Sequence, residues 1–125
     1  MSQQTTKDAI DAIFNQVAQY NQRHDTSKPL FFDTETTGGG RDDQIIEIAF
    51  CDSDRNVIID TLIYTDKPLT PGALKVHGIN PHELLGKPTF IDIQPAIVQL
   101  LKGRTLYAYN ASLDIRMMWQ SGHKL

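Results

Sequence analysis

Between Thr5 and His24 the apolar residues recur at helical spacing, with Ile10, Ile13, Phe14 and Val17 on one stripe and Asp11, Asn15, Gln16 and Gln19 elsewhere. The pattern predicts an amphipathic helix, with Thr5 and Asp8 as a capping box. Its stripe needs a partner, either the adjacent sheet or another chain. The turn formers His24 to Pro29 end it. The period then changes. Leu30, Phe31 and Phe32 read as a strand, Ile45 to Asp52 as a second, near-continuously apolar strand covered on both faces, and Val57 to Thr65 as a third, hairpin-paired to the second. After a loop with two prolines come a helical piece at Ala73 to His77 and a turn at Pro81 capped by Asn80. Ile91 to Leu101 reads as a helix with Ile93, Ile97, Leu100 and Leu101 inward and Pro95 in its first turn. Gly103 ends it, Thr105 to Tyr109 is a fourth strand, and a last helix follows Asp114. Three meandering strands, a helical crossover and a further strand predict an α/β fold, a mixed sheet flanked by helices.

The chemistry collects where the first strand ends, in LFFDTETTGGG at 30–40. Side chains alternate along a strand, so Asp33 and Glu35 project from one face and Thr34 from the other. Two neighbouring carboxylates repel each other, and either a shared proton or a hard divalent cation such as Mg²⁺ or Mn²⁺ relieves them. Two solvated acids at a polar strand end are the bland alternative. Asp114 is the next informative acid. With the fourth strand parallel to the first, the last helix starts beside Asp33 and Glu35, so three carboxylates are expected to converge. Asp114 alone is equally a helix-start acid. Glu47 and Asp60 read as strand-edge polar residues without a role, and the spacing of His77 and His82 suits a zinc site poorly.

Composition narrows the picture. A chain of 125 residues, 40% hydrophobic and 22% charged, is one ordinary globular domain. A net charge of −3 and a pI near 5.7 argue against a broad basic surface for nucleic acid, so any such contact rests on a local site and bound metal. Cys51 stands alone in an apolar run, where a buried thiol and a reducing cytoplasm are the default expectations. Neither a signal-like segment nor a membrane-length apolar run occurs. P-loop, nucleophile-elbow and dinucleotide-binding glycine patterns are absent.

FDTETTG at 32–38 resembles the first motif of the DEDD exonucleases, the superfamily of the proofreading subunit of DNA polymerase III, and YNASLD at 109–114 resembles the second. VHGIN at 76–80 and GKPTF at 86–90 are similar to the region between. Tyr109 and Leu113 depart from the second motif, where His and Phe are common. The resemblance implies a ribonuclease H-like fold and hydrolysis of single-stranded DNA or RNA from the 3′ end with two Mg²⁺ or Mn²⁺ ions. It implies Asp33, Glu35 and Asp114 as catalytic metal ligands, Asp33 bridging both ions. The terminal nucleotide would meet Thr34, Thr36, Val76, His77 and Asn110. A fourth Asp, preceded by a Tyr or His as general base, completes the family pattern. No such pair follows Asp114, and the histidine branch is expected to supply it. Residues 1–28 are then expected to be a helix and linker, and 29–125 the N-terminal two thirds of an exonuclease domain whose last strand and helix are missing. Three readings stay open: an incomplete exonuclease of little or no activity, a non-catalytic module that binds nucleic acid or a partner, and an enzyme completed by self-association or a larger assembly.

Overall fold

The computed structural model describes residues 3–108 and 111–122. The element order is α1 (Gln3–Arg23), β1 (Leu30–Thr36), β2 (Ile45–Asp52), β3 (Val57–Leu62), α2 (Pro71–His77), a 3-10 turn (Pro81–Leu84), α3 (Phe90–Leu101), β4 (Leu106–Ala108) and α4 (Ala111–Ser121). The strands lie in the order β3-β2-β1-β4, antiparallel except for the β1 and β4 pair, which is parallel. A helical crossover is what allows that parallel pair.

One face of this sheet is the core. Leu30 and Phe32 of β1, Ile48 and Phe50 of β2 and Ile59 of β3 pack with Ile13, Val17 and Tyr20 of α1, Ile93, Ala96, Ile97 and Leu100 of α3, and Met117 of α4. The rings of Phe32 and Phe50 stack with centroids 5.5 Å apart. The opposite face is open. Burial along β2 alternates strictly from Ile46 onward, with Glu47, Ala49 and Cys51 only half-buried. This corrects two expectations: β2 is not covered on both faces, and the Cys51 thiol is not deeply buried. Among the described residues the core contacts of α1, α3 and α4 all fall on the other side.

Local chemistry accounts for the element ends. Thr70 caps α2 by accepting from the Ala73 N–H at 3.1 Å, and Gly78 closes it in the left-handed region at φ 66°. Thr89 and Asp92 form a capping box on α3, and Asn80 and Glu83 form another on the 3-10 turn. Three further expectations change. Since Thr89 starts α3 earlier, Pro95 falls inside the helix and not in its first turn. α1 begins at Gln3, so Thr5 lies within it, and Asp8 accepts from Gln4 at 2.9 Å. Phe14 is 39% exposed, and the buried stripe continues through Tyr20 instead. The third strand ends at Leu62, beyond which Tyr64 makes an isolated bridge to Thr89.

Candidate active site

The site is built at the C-terminal end of β1. Asp33 is exposed and Glu35 half-buried, both on the open face, while Thr34 points to the opposite side. A shift of register between Glu35 and Thr36 turns the strand into the glycine loop. That loop is held from within. Asp43, 8% exposed, accepts from the Thr37 hydroxyl and from the Gly40 N–H, both at 2.7 Å. A Cβ at position 38 would lie 2.7 Å from Asp43 Oδ2 and 2.8 Å from Thr70 Cγ2, which is why glycine is required there. Thr37 also bonds across to Gln44 and accepts the Thr70 N–H at 2.8 Å, tying the loop to the start of α2. The Thr36 hydroxyl donates to the Gly38 carbonyl at 2.9 Å.

Electrostatically the pair is strained. Burial raises the Glu35 carboxyl above the ordinary range, and the charges of Asp33 and Asp114 raise it further. Glu47 stands directly across from Glu35 in the β1 and β2 register. Its carboxyl is raised too, first by burial and then by Asp60, Glu35 and Asp33. Asp33 pairs with Ala49, and Ala49 with Asp60, so the open face carries acids on three adjacent strands. Sequence reasoning gave Glu47 no role. The signal was present in the hairpin register, since paired residues share a face.

Asp114 lies in the first turn of α4 and is 4% exposed. Its carboxylate accepts from the Thr34 hydroxyl, on the core side of β1. It reaches the strand from the face opposite Asp33 and Glu35, because Met117, one turn on, anchors α4 in the core. Its charge is felt by Glu35, but the three side chains do not close into a cage. Among the described residues no three His, Cys, Asp or Glu side chains lie close enough to hold an ion together. The all-oxygen donors of Asp33 and Glu35, and the negative charge that Asp33 and Asp114 place around Glu35, fit a hard divalent cation. As placed, Asp114 is engaged by the Thr34 hydroxyl.

His77 comes to the same edge. The Ile79 N–H donates to its Nδ1 at 3.0 Å, so the ring proton is on Nε2, which donates to the Thr36 carbonyl at 3.1 Å. Val76 beside it is 81% exposed. Asn110 and Tyr109 lie outside the described residues. Two residues of α4 were not anticipated: Arg116 donates to the Gly39 carbonyl at 2.8 Å, and Gln120 donates to the carbonyls of Gly40 and Asp43 at 3.1 and 2.9 Å. Their i, i+4 spacing places both on one helix face toward the loop.

A sheet of this order, with paired acids at the end of its first strand and a helix returning beside them, is the architecture of a nuclease domain, and the comparisons agree. Residues 30–124 match the RNase T family model, described as Exonuclease. This chain belongs to that DEDD-type 3′-to-5′ exonuclease family. It is 37% identical over 92 residues to the uncharacterized exonuclease CP81 of Escherichia phage 186, covering 74% of this chain and 47% of that protein. It is 38% identical over 91 residues to DNA polymerase III subunit epsilon of Treponema pallidum, covering 70% and 42%. The chain thus spans about half, or less, of the length of these relatives. Among solved structures, exonuclease X in complex with 5′ overhanging duplex DNA aligns with a TM-score of 0.54 at 30% identity, over 70% of this chain and 52% of that one. The zinc-bound E. coli exonuclease I complex with single-stranded DNA aligns with a TM-score of 0.58 at 27% identity, over 73% and 23%. The helices and mixed sheet described above match these exonuclease structures over about 70% of the chain.

Proposed function

We propose that this chain carries the metal-binding part of a centre that hydrolyses phosphodiester bonds from the 3′ end of DNA or RNA. The observation that carries the reading is the Asp33 and Glu35 pair, held on one open face with Glu35 disfavoured as an anion. Asp33 and Glu35 would hold Mg²⁺ or Mn²⁺. Two such ions supply charge stabilisation at the attacking and leaving oxygens of the phosphodiester. Everything else falls to the chain itself. Without a cation the two acids repel an incoming phosphate, so binding of the 3′ end is coupled to metal. The exposed Val76 side chain offers an apolar contact to the terminal nucleotide, and its neighbour His77 is tied to the Thr34 and Thr36 segment through the Thr36 carbonyl. Asp114, whose charge already acts on Glu35, would have to change its hydrogen bond to Thr34 before its carboxylate could hold an ion.

His77 is not the general base in this arrangement, because both ring nitrogens are occupied. The reading therefore assigns the base and the fourth carboxylate to a further segment of the histidine type, in the same polypeptide or a partner, and gives the 125-residue chain weak or no turnover. The relatives that bind DNA support a nucleic-acid substrate. The test is a 5′-labelled oligonucleotide with a 3′-hydroxyl or a 3′-phosphate end, in Mn²⁺ and in EDTA. Metal-dependent preference for the free 3′-hydroxyl is expected. Equal binding of both ends, with or without metal, contradicts the reading. Tight 3′-end binding with no nucleotide release after addition of a longer relative's C-terminal segment favours a binding module over an enzyme.

A further inference from the structure

A mildly acidic chain with acids on three strands needs cations somewhere to steer a polyanion. Several of its basic residues are committed elsewhere. Lys7 faces Asp11 on α1, and Arg104 bonds Asn21 and the carbonyls of Asp25 and Lys28 while lying over the Tyr20 ring. Arg55 sits in the β2 and β3 turn, next to Asp52, which pairs with Leu30 at the far end of β1. Lys102 caps α3 just before β4, also at that far end. Arg41 follows Gly40 in the loop itself and Lys75 lies on α2, and among the described residues two further cations reach the carboxylate end from either side. Arg116 is exposed on α4 and uses one N–H on the Gly39 carbonyl, which leaves the guanidinium lying along the glycine loop. Lys67 lies in the loop leading to Thr70, whose N–H is latched to the Thr37 carbonyl. Both side chains act on Asp43 from opposite elements, and both hold its carboxyl below the usual range after the Thr37 hydrogen bond and the Gly40 N–H. Asp43 itself is turned inward, with its hydrogen bonds made to Thr37 and Gly40.

We infer that Lys67 and Arg116, on either side of the glycine loop, form a second, metal-independent contact that takes backbone phosphates of the strand upstream of its 3′ end. The inference rests on the proposed function for the identity of the strand, but not on the metal site. A planar guanidinium with spare donors suits a phosphate oxygen pair, and the Lys ammonium adds a point charge. Exposed pairs of this kind are screened by salt, so the signature is a salt slope. Each phosphate contact to a single strand contributes a slope of roughly −0.7 in log K against log salt.

The experiment is fluorescence anisotropy of a 5′-labelled oligothymidylate with the full chain, across a salt series, in EDTA and in Mn²⁺. Weak binding in EDTA with a slope of about −1.4 is expected. Lys67→Gln and Arg116→Gln should each reduce the slope by about half and weaken binding several-fold, Arg116→Lys should restore most of it, and Lys102→Gln should change nothing. Far-UV circular dichroism melts check folding, and Lys67→Gln alone decides the matter where Arg116→Gln does not fold. Unchanged slopes in both variants, or an equal loss in Lys102→Gln, overturn the basic rim while leaving metal-dependent 3′-end binding intact. No binding by the wild-type chain in either buffer overturns the rim and the nucleic-acid reading together.

Discussion

Two acids at opposite ends of the central strands show how differently the same chemical group can be treated. Asp52, 6% exposed, accepts from Tyr20 Oη at 2.7 Å and from the Asn56 side chain and the N–H groups of Asp54 and Asn56, each at 2.9 Å. Burial works against its charge, but the bonds from Asn56, Tyr20 and Asp54 outweigh it and hold the carboxyl at about 2. The Tyr20 phenol is pushed up to about 12 by burial and by Asp52. Among the described residues Glu35 has no comparable set of donors. It faces Glu47 across the strand pair, near Asp33, and its carboxyl is displaced the other way. The satisfied acid is structure, joining α1 to the β2 and β3 turn. The dissatisfied one is where the proposed cation would sit.

Breaking the satisfied end has the largest expected effect. Asp52→Ala leaves four donors unpaired and should cost about 2 to 4 kcal/mol in urea unfolding, with metal affinity unchanged in whatever fraction stays folded. Next is Gly38→Ala, whose Cβ meets the Asp43 carboxylate and Thr70; about 1 to 3 kcal/mol of stability should be lost, read as a lower melting temperature.

The two ends also separate in pH. Asp52 and Asp43 have depressed folded values, so their stabilisation is present above the unfolded value of 3.8 and is lost as pH falls through the lower folded values, for Asp52 between about 4 and 2. Glu35 and Glu47 have raised folded values, so their contribution is present below the unfolded value of 4.5 and is lost as pH rises through the folded values. Metal-free chain should therefore gain stability as pH drops from neutrality toward 4.5, and then lose it below about 4. Saturating Mg²⁺ should flatten the first phase only. A urea series at fixed ionic strength reads both phases, and a gain that persists unchanged in Glu35→Gln sinks the assignment to this site. The smallest effect is that of Thr34→Val, which removes the bond to Asp114 at a cost of about 1 kcal/mol and should leave Mn²⁺ binding at the strand end in place.

The strand and helix order was legible because periods of two and of 3.6 are distinct, and because Gly103 and Pro29 punctuate the chain. The parallel placement of β4 beside β1 followed from the crossover. Which face is covered was not legible. IIEIAFCD is apolar enough for a doubly buried strand, yet only one layer of helices packs on it. The pairing of Asp33 with Glu35 was readable from alternation within one strand. The orientation of Asp114 was not, since it depends on how Met117 seats α4, which is a tertiary choice. Glu47 was overlooked for a related reason: single-strand reading cannot see a residue that becomes important only opposite another. Arg116 and Gln120 act through backbone carbonyls of a distant loop, and no local pattern announces such partners.

The central claim is that Asp33 and Glu35, held on the open face, bind the divalent cation. Isothermal titration of Mn²⁺ into the wild-type chain, Asp33→Ala, Glu35→Ala and Asp52→Ala tests it most directly. The account predicts that binding is abolished in the first two variants and retained in folded Asp52→Ala. Unchanged affinity in Asp33→Ala and Glu35→Ala would contradict it.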